Sequence, residues 1–434
     1  MSELRFLHAA DLHIGSPLQK LELYPGAPIE TMRRAPTQAV ENLIDVAIAH
    51  QVHAVLIAGD LFDGPWEDMR VGLWMVEQFR RLEREQIPVV LIRGNHDAHS
   101  VVIQQLDWPK NVHEFGSNAP DTLTLDCGLA VHGQSFRHAS VMEDLAARYP
   151  QAKSGLFNVG LLHTSLTGNA LHDPYAPTEL SILEDKGYGY WALGHIHQRS
   201  ESSLSSVSWI GYSGNTQGRS IRETGPKGCY LVHVHDQRVD RVEFIATDVA
   251  RWHILAIDTA ECESLEDLKQ TAKGQIEDTL PRQEGRTLAL RIRLTGSTKL
   301  HSLLQTPSGY ASAVATLRNL ANELEQAWVE KVEIHTQPPM SSHALQATQW
   351  TLDEMEKVMA SWKENAWHDS ALQHPKQLLQ QKIASQLQEM GWTTERSPEW
   401  QPDWDSLVRQ AYRYLEGSLL GQETQDLGTG VASR

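Results

Sequence analysis

Cysteine is scarce: the 434 residues hold three, Cys127, Cys229 and Cys262, far apart and with no C-x-x-C pair. This excludes a disulfide framework and a thiolate zinc site, and it fits a reducing compartment. No apolar run approaches the roughly 18 residues that a membrane-spanning helix needs. The opening "MSELRFLHAAD" enters a strand-like pattern with no apolar signal segment. The expectation is a soluble, cytoplasmic protein without membrane contact. Positive charge is also in deficit. The formal net charge is −17, spread along the chain and not gathered in a tail, which argues against gripping nucleic acid through a global basic surface. A polyanionic substrate would need a local attraction, and bound cations are the obvious source.

What is present is length, beyond the ~250–300 residues at which a single core stops growing, so a large domain with one or two smaller ones is expected. Five segments share one design, a short apolar run that ends in a polar residue able to bind metal. They are "LRFLHAADLH" (4–13), "VHAVLIAGDLFD" (52–63), "PVVLIRGNHD" (88–97), "LFNVGLLHTS" (156–165) and "YGYWALGHIH" (188–197). Continuous apolar runs of this length suit strands buried on both faces. The intervening "APTQAVENLIDVAIAHQ" and "VGLWMVEQFRRLEREQ" have helical spacing, which predicts a β-α-β-α-β opening. Ligand sites in layered α/β folds form beyond the carboxyl ends of the strands, so the five polar termini should meet at one rim. Gly59, Gly94 and Gly194 precede ligand candidates, where the chain must turn sharply and approach a neighbour closely.

After residue 213, "SGNTQGRSIRETGPKGCYLVHVHDQRVDRVEFIAT" reads as a loop and then a hairpin that closes a second sheet. From 251 onward, "RWHILAID", "SLEDLKQTAKGQIED", "RTLALRIRLTG", "YASAVATLRNLANELEQA" and "WVEKVEIHT" predict a compact β-α-β-α-β unit. "QPPMSSH" (337–343) reads as a linker. Beyond it, Leu352, Met355, Met359 and Trp362, then Trp404, Val408, Ala411 and Leu415, fall on single faces of two amphipathic helices. The expected domains are therefore 1–250, 251–340 and 341–434.

Asp11, His13, Asp60, Asn95, His163, His195 and His197 offer oxygen and imidazole ligands with no sulfur, a set suited to Mn²⁺, Fe²⁺ or Zn²⁺. They are too many for one ion with an open position, but right for two ions that share a carboxylate. Ions roughly 3.5–4 Å apart lower the pKa of water and stabilise both the attacking and the leaving oxygen of an in-line displacement. Two aspartates against two dications leave the site net positive, which would draw a phosphodiester despite the acidic exterior.

The ordered motifs D-x-H, GD-x-x-D, GNHD, an isolated His and GH-x-H resemble those of the calcineurin-like metallophosphoesterase superfamily. The resemblance implies an α/β fold, a four-layer α-β-β-α core of two mixed sheets flanked by helices. It also implies one metal held by Asp11, His13, Asp60 and His197 and a second held by Asp60, Asn95, His163 and His195, with Asp60 bridging. His96 would contact the phosphate and protonate the leaving oxygen, a contribution of typically about 10²–10⁴ in rate, and Asp97 would orient it.

Within that superfamily, "HAADLHIG", "AGDLFD", "RGNHD", "ALGHIH" and "GYSGNTQGRSIRETGPKGC" resemble the SbcD-type DNA repair nucleases, especially their YhaO-like bacterial branch. This likeness covers residues 1–250 and extends to 251–340, and beyond that it is only architectural. It implies Mn²⁺-dependent exo- and endonuclease activity on DNA in double-strand-break repair or end processing, with Fe²⁺ or Zn²⁺ as the alternative ions. It further implies a homodimer, a small α/β capping domain that guides the duplex, and an SbcC-like coiled-coil ATPase docked on the C-terminal helices. One departure is Asp63, where some relatives carry a His over the substrate.

Plainer readings stand beside these. Arg219, Arg222 and Lys227, in the loop after the last ligands, are candidates for flanking phosphates or else ordinary loop charges. His233 and His235 form another H-x-H, but inside an alternating strand with no convergent carboxylate, so a shared solvated face is expected. His8, His50, His53 and His132 read as structural. Arg291 and Arg293 alternate with Leu290, Ile292 and Leu294 and read as a solvated strand face. The C-terminal stripes suit internal packing or a partner, with Trp404, Tyr412 and Tyr414 favouring an interface. Two other functions compete with the nuclease. One is a phosphodiesterase for a small phosphodiester such as a cyclic nucleotide, or for a phosphoprotein. The other is a non-catalytic scaffold for the ATPase, against which the full ligand set and His96 argue.

Overall fold

A computed structural model describes residues 3–16, 26–63, 69–99, 106–166, 175–201, 208–339, 353–358 and 360. In chain order the first half runs β1 (Leu4–Ala9), α1 (Ile29–Ala49), β2 (Ala54–Ala58), α2 (Met69–Arg84), β3 (Val89–Ile92), β4 (Val112–Glu114), β5 (Asp121–Thr124), β6 (Leu129–Gly133) and β7 (Phe157–His163). Then come α3 (Leu180–Asp185), β8 (Tyr190–Gly194), β9 (Ser200–Glu201), β10 (Trp209–Tyr212) and the hairpin β11 (Gly228–His235) and β12 (Arg238–Ala246).

These strands form two six-stranded mixed sheets, ordered β12-β11-β1-β2-β3-β4 and β5-β6-β7-β8-β10-β9. Strands β1 to β4 pair in parallel, as do β6, β7, β8 and β10. The apolar runs that suggested two-sided burial are buried on both sides. In β1, Leu7 and Ala9 pack with Val40, Leu43 and Ile44 of α1 and Phe79 of α2, while Leu4 and Phe6 face Val159, Leu161 and Tyr190 of the second sheet. The far face of that sheet puts Leu162, Trp191 and Leu193 against Leu183 of α3 and against Tyr149. The result is the expected four-layer α-β-β-α order.

Three details depart from expectation. Helix α1 begins at Ile29, ahead of the predicted start, and runs through Pro36 because Met32, Ala35 and Pro36 are all buried on its inner face. The β11–β12 hairpin joins the first sheet, not the second. Its strand β11 pairs antiparallel with β1, Phe6 opposite Val232, and sends Tyr230 and Val232 into the inter-sheet core but Cys229 and Leu231 toward the helices. A strand with two apolar faces fits only where both faces are covered. Finally, His235 is exposed as expected, but His233 is buried, since Glu3 Oε1 (3.1 Å) and Arg241 Nη2 (3.1 Å) both reach its ring.

The third sheet is built from β13 (Ala250–Asp258), β14 (Thr287–Ser297) and β15 (Ala327–Gln337), with α4 (Leu265–Thr279) and α5 (Pro307–Glu323) between them. Its root is packed rather than loosely strung: Trp252, Ala289 and Trp328 share a buried cluster with Met32 and Ala35 of α1. Arg291 and Arg293 pair with Glu330 and Glu333 on β15. Among the expected C-terminal helical segments, only 353–358, with Met355, is described, and it is helical. Leu352, Met359, Trp362 and the segment from Trp404 to Leu415 lie outside the described residues. No helix among the described residues is long and apolar enough to cross a membrane.

Candidate dimetal phosphoester site

Strands β1, β2, β3, β7 and β8 end at one rim, and their last residues or following loops carry all seven ligand candidates. The loops after β1 and β2 are laced together: the amides of Asp11, His13 and Ile14 donate to the carbonyls of Gly59, Asp60 and Leu61 at 2.9–3.0 Å. Such lacing holds backbone conformations that the residues would not adopt alone. Asp11, His13, Asp60 and His195 all have positive φ, at 53°, 44°, 54° and 99°. Non-glycine residues persist there only when their surroundings enforce it, and such strain collects at functional sites. Close approach needs glycine as well. A Cβ at Gly59, whose φ is +91°, would stand 2.6 Å from His163 Nδ1, and one at Gly94 would overlap the Asp60 carboxylate.

The donor atoms converge. His13 Nε2 faces His197 Nε2 at 3.0 Å and lies 3.8 Å from Asp60 Oδ2, which is 3.5 Å from His163 Nε2. Asp11, His13 and His197 form one group able to hold an ion, and Asp11, Asp60 and His163 another. Both Asp11 oxygens accept from the His195 amide at 3.1 Å. The chemistry of these contacts fits cations. His163 Nδ1 donates to the Ala58 carbonyl at 2.8 Å, so its Nε2 carries a lone pair, yet that nitrogen faces the Asn95 Oδ1 acceptor at 2.9 Å. Two ligand atoms at that distance match the spacing that a shared cation would give them. Likewise, two imidazole nitrogens each about 2.0–2.1 Å from one ion stand roughly 3 Å apart.

The titration behaviour agrees. Burial pushes the Asp11 carboxyl up to about 7, with His197 opposing and Asp60 adding to the rise. Burial depresses His163 to about 3 and His13 to about 4. His13 and His163 are thus neutral ligands, and the buried Asp11 carboxylate lacks the counter-charge that cations would bring.

His96 sits at the mouth, its side chain 38% exposed, and Asp63 Oδ1 accepts from its Nδ1 at 2.8 Å. That hydrogen bond raises the His96 pKa against the effect of burial. The carboxylate touching His96 is therefore Asp63, not its neighbour Asp97. Asp97 points inward, where its oxygens accept from the amides of Leu61 (3.1 Å), Phe62 (3.0 Å) and Gly94 (3.1 Å), fastening the β3 loop to the β2 loop.

The loop cations divide. Arg219 binds Glu223 (Nη2 to Oε1, 3.0 Å) and lies 3.6 Å from Asp63. Lys227 is buried and donates from Nζ to the His197 carbonyl at 3.0 Å. Arg222 is exposed. Sequence reasoning missed Glu223, whose Oε1 accepts from His197 Nδ1 at 2.8 Å. Its one signal is an acid placed among basic residues in the loop between β10 and β11. His8, His53 and His132 make internal hydrogen bonds away from the site.

The model of the calcineurin-like phosphoesterase family matches residues 4–199, and that of the middle domain of metallophosphoesterase YhaO matches residues 252–337. The uncharacterized metallophosphoesterase YhaO of Bacillus subtilis (strain 168) is 36% identical over 315 residues, 71% of this chain and 76% of that protein. The chain belongs to the calcineurin-like metallophosphoesterases. Within them it is of the YhaO type, a metal-dependent phosphoesterase. At lower identity this phosphoesterase is similar to the DNA double-strand break repair protein Mre11 of Sulfolobus acidocaldarius, 24% over 289 residues, covering 63% of this chain and 72% of that protein. The Mre11 of Methanopyrus kandleri is 23% identical over 311 residues, 65% of each chain.

Proposed function

We propose that the protein is a two-metal DNA exo- and endonuclease subunit that cleaves phosphodiester bonds during double-strand-break repair or end processing, with Mn²⁺ as its ion. The observation that carries this reading is the cradle of facing acceptors with a hydrogen-bonded His–Asp pair at its mouth. DNA as substrate is supported by the similarity to Mre11 proteins and by the third-sheet domain, for which a small phosphodiester has little use. A homodimer and an SbcC-like coiled-coil ATPase belong to the same reading, with the ATPase assigned to the C-terminal segment.

Asp11, His13, Asp60 and His197 would hold one ion, and Asp60, Asn95, His163 and His195 the other. When bound, the two ions supply Lewis acidity and make water nucleophilic near neutral pH. His96 binds the phosphate and passes a proton to the leaving oxygen, for which its raised pKa keeps the proton available, and Asp63 fixes its ring. Asp97 sets the loop from which His96 projects. Arg222 is assigned to flanking phosphates, with Arg219 and Lys227 shaping the same loop.

The test is purified full-length protein with Mn²⁺ on linear and hairpin DNA, alone and with the ATPase. DNA should be degraded; Asp60→Ala should abolish this, and His96→Ala should slow it by about 10²–10⁴-fold. Hydrolysis of a chromogenic diester with every DNA form left intact would establish the small-phosphodiester alternative instead.

A further inference from the structure

Glu223 spends both carboxylate oxygens. Oε1 accepts from His197 Nδ1 at 2.8 Å and from Arg219 Nη2 at 3.0 Å, and Oε2 accepts from the Arg219 amide at 2.7 Å and Asn215 Nδ2 at 2.9 Å. His197 Nδ1 faces Glu223 Oε1 at 2.8 Å and Arg219 Nη2 at 3.1 Å; in the Nδ1–H tautomer, which the shorter contact with the carboxylate favours, the lone pair of Nε2 turns toward His13 Nε2 and the ion cradle. Outer partners of this kind fix the tautomer and raise the basicity of a ligating histidine, and removing one typically costs about 10–100-fold in metal affinity.

The loop that carries Glu223 is also clamped to the third-sheet domain. Gln217 accepts from the Val249 amide at 2.9 Å and donates to the Ala250 carbonyl at 2.6 Å. Trp252 Nε1 donates to the Gly218 carbonyl at 3.1 Å, and the Gly225 amide donates to the Trp252 carbonyl at 3.0 Å. Trp252 in turn packs edge-on to Trp328 of β15, ring centroids 6.1 Å apart, in the cluster that includes Ala289 of β14. The covalent and hydrogen-bonded path from the third sheet to a ligand histidine is therefore short: Trp252, residues 218–223, Glu223, His197.

We propose that Glu223 is a positioning residue for His197, and that through this loop the seating of the third-sheet domain sets cation affinity on the His197 side of the site. The inference rests on the two-metal reading. A domain that moves when DNA or a partner engages it would then tighten or loosen one ion without touching the other.

The experiment titrates Mn²⁺ calorimetrically into the full-length wild type, Glu223→Ala, Glu223→Gln and Trp252→Phe, and records metal-free melting of each. The wild type should take up two ions. Glu223→Ala should weaken one uptake by about 10–100-fold and leave the other unchanged. Glu223→Gln, which keeps an acceptor for Nδ1–H, should fall between. Trp252→Phe keeps an aromatic ring in the cluster but not the N–H to Gly218, and should weaken the same uptake severalfold. If Glu223→Ala and Glu223→Gln lower only the metal-free melting temperature, with both Mn²⁺ affinities intact, Glu223 is a loop brace and the proposal is overturned. Unchanged affinities in Trp252→Phe alone would overturn its interdomain half. A wild-type chain that binds no pair of Mn²⁺ ions would sink the two-metal reading, and this inference with it.

Discussion

At the residue scale, His96 is held from two sides, its amide on Asp60 Oδ1 at 3.0 Å and its ring on Asp63. Replacing it by Ala removes the proton donor but no ion ligand. DNA and diester turnover should fall about 10²–10⁴-fold with Mn²⁺ affinity retained, as calorimetry beside steady-state rates will show. Gly94→Ala should differ in losing the ions as well. Its methyl would overlap the Asp60 carboxylate and stand 2.7 Å from His163 Cε1, so Mn²⁺ uptake should be lost along with activity. Asp97→Ala would leave the amides of Leu61, Phe62 and Gly94 buried without acceptors, at about 1–3 kcal/mol each. Its melting temperature should drop further than that of Asp97→Asn, which retains one acceptor oxygen.

At the element scale, His8 on β1 crosses between the sheets, with Nδ1 3.0 Å from the Tyr190 hydroxyl and Nε2 3.1 Å from the Leu193 carbonyl. Burial lowers its pKa to about 3. A depressed folded pKa means that the unfolded chain takes the proton first. The contribution is thus complete above about 6.5, and it is lost as pH falls toward 3, at about 1.4 kcal/mol per pH unit. Urea midpoints at pH 7 and 4.5 should differ less in His8→Gln than in the wild type. Much of this architecture was legible beforehand. Apolar runs ending in D-x-H, GD-x-x-D, GNHD and GH-x-H marked both the strands and the rim, because two-sided burial and a sharp exit each leave a local signature. The hairpin was assigned to the wrong sheet because alternation tells which faces are covered but not by what. His233 and the partner of His96 differ from expectation because their partners carry no local signal: Glu3 and Asp63 lie far away in sequence, Arg241 reaches His233 only across the hairpin, and the role given to Asp97 came from the resemblance. Glu223 carried no periodic signal at all.

At the scale of the whole molecule, the proposed nuclease reading requires a chain with net charge −17 to attract DNA mainly through its rim. Removing divalent ions with a chelator should abolish DNA association as well as cleavage. The salt dependence of binding by the chain alone should be shallow, since each phosphate neutralised by a Lys or Arg contributes about −0.9 to the slope of log K against log salt. Fluorescence anisotropy across salt concentrations reads this directly, and a slope near that of a protein with 6–10 such contacts would show that the exterior holds a basic track after all. The opposite end of the sandwich offers a practical handle. Cys229 and Cys262 are buried, whereas Cys127 is partly accessible in the turn between β5 and β6, on the edge where the parallel strands begin. A maleimide dye should therefore attach at one place, slowly because burial raises that thiol's pKa. It would report on DNA and partner encounters from the side of the protein that chemistry leaves alone.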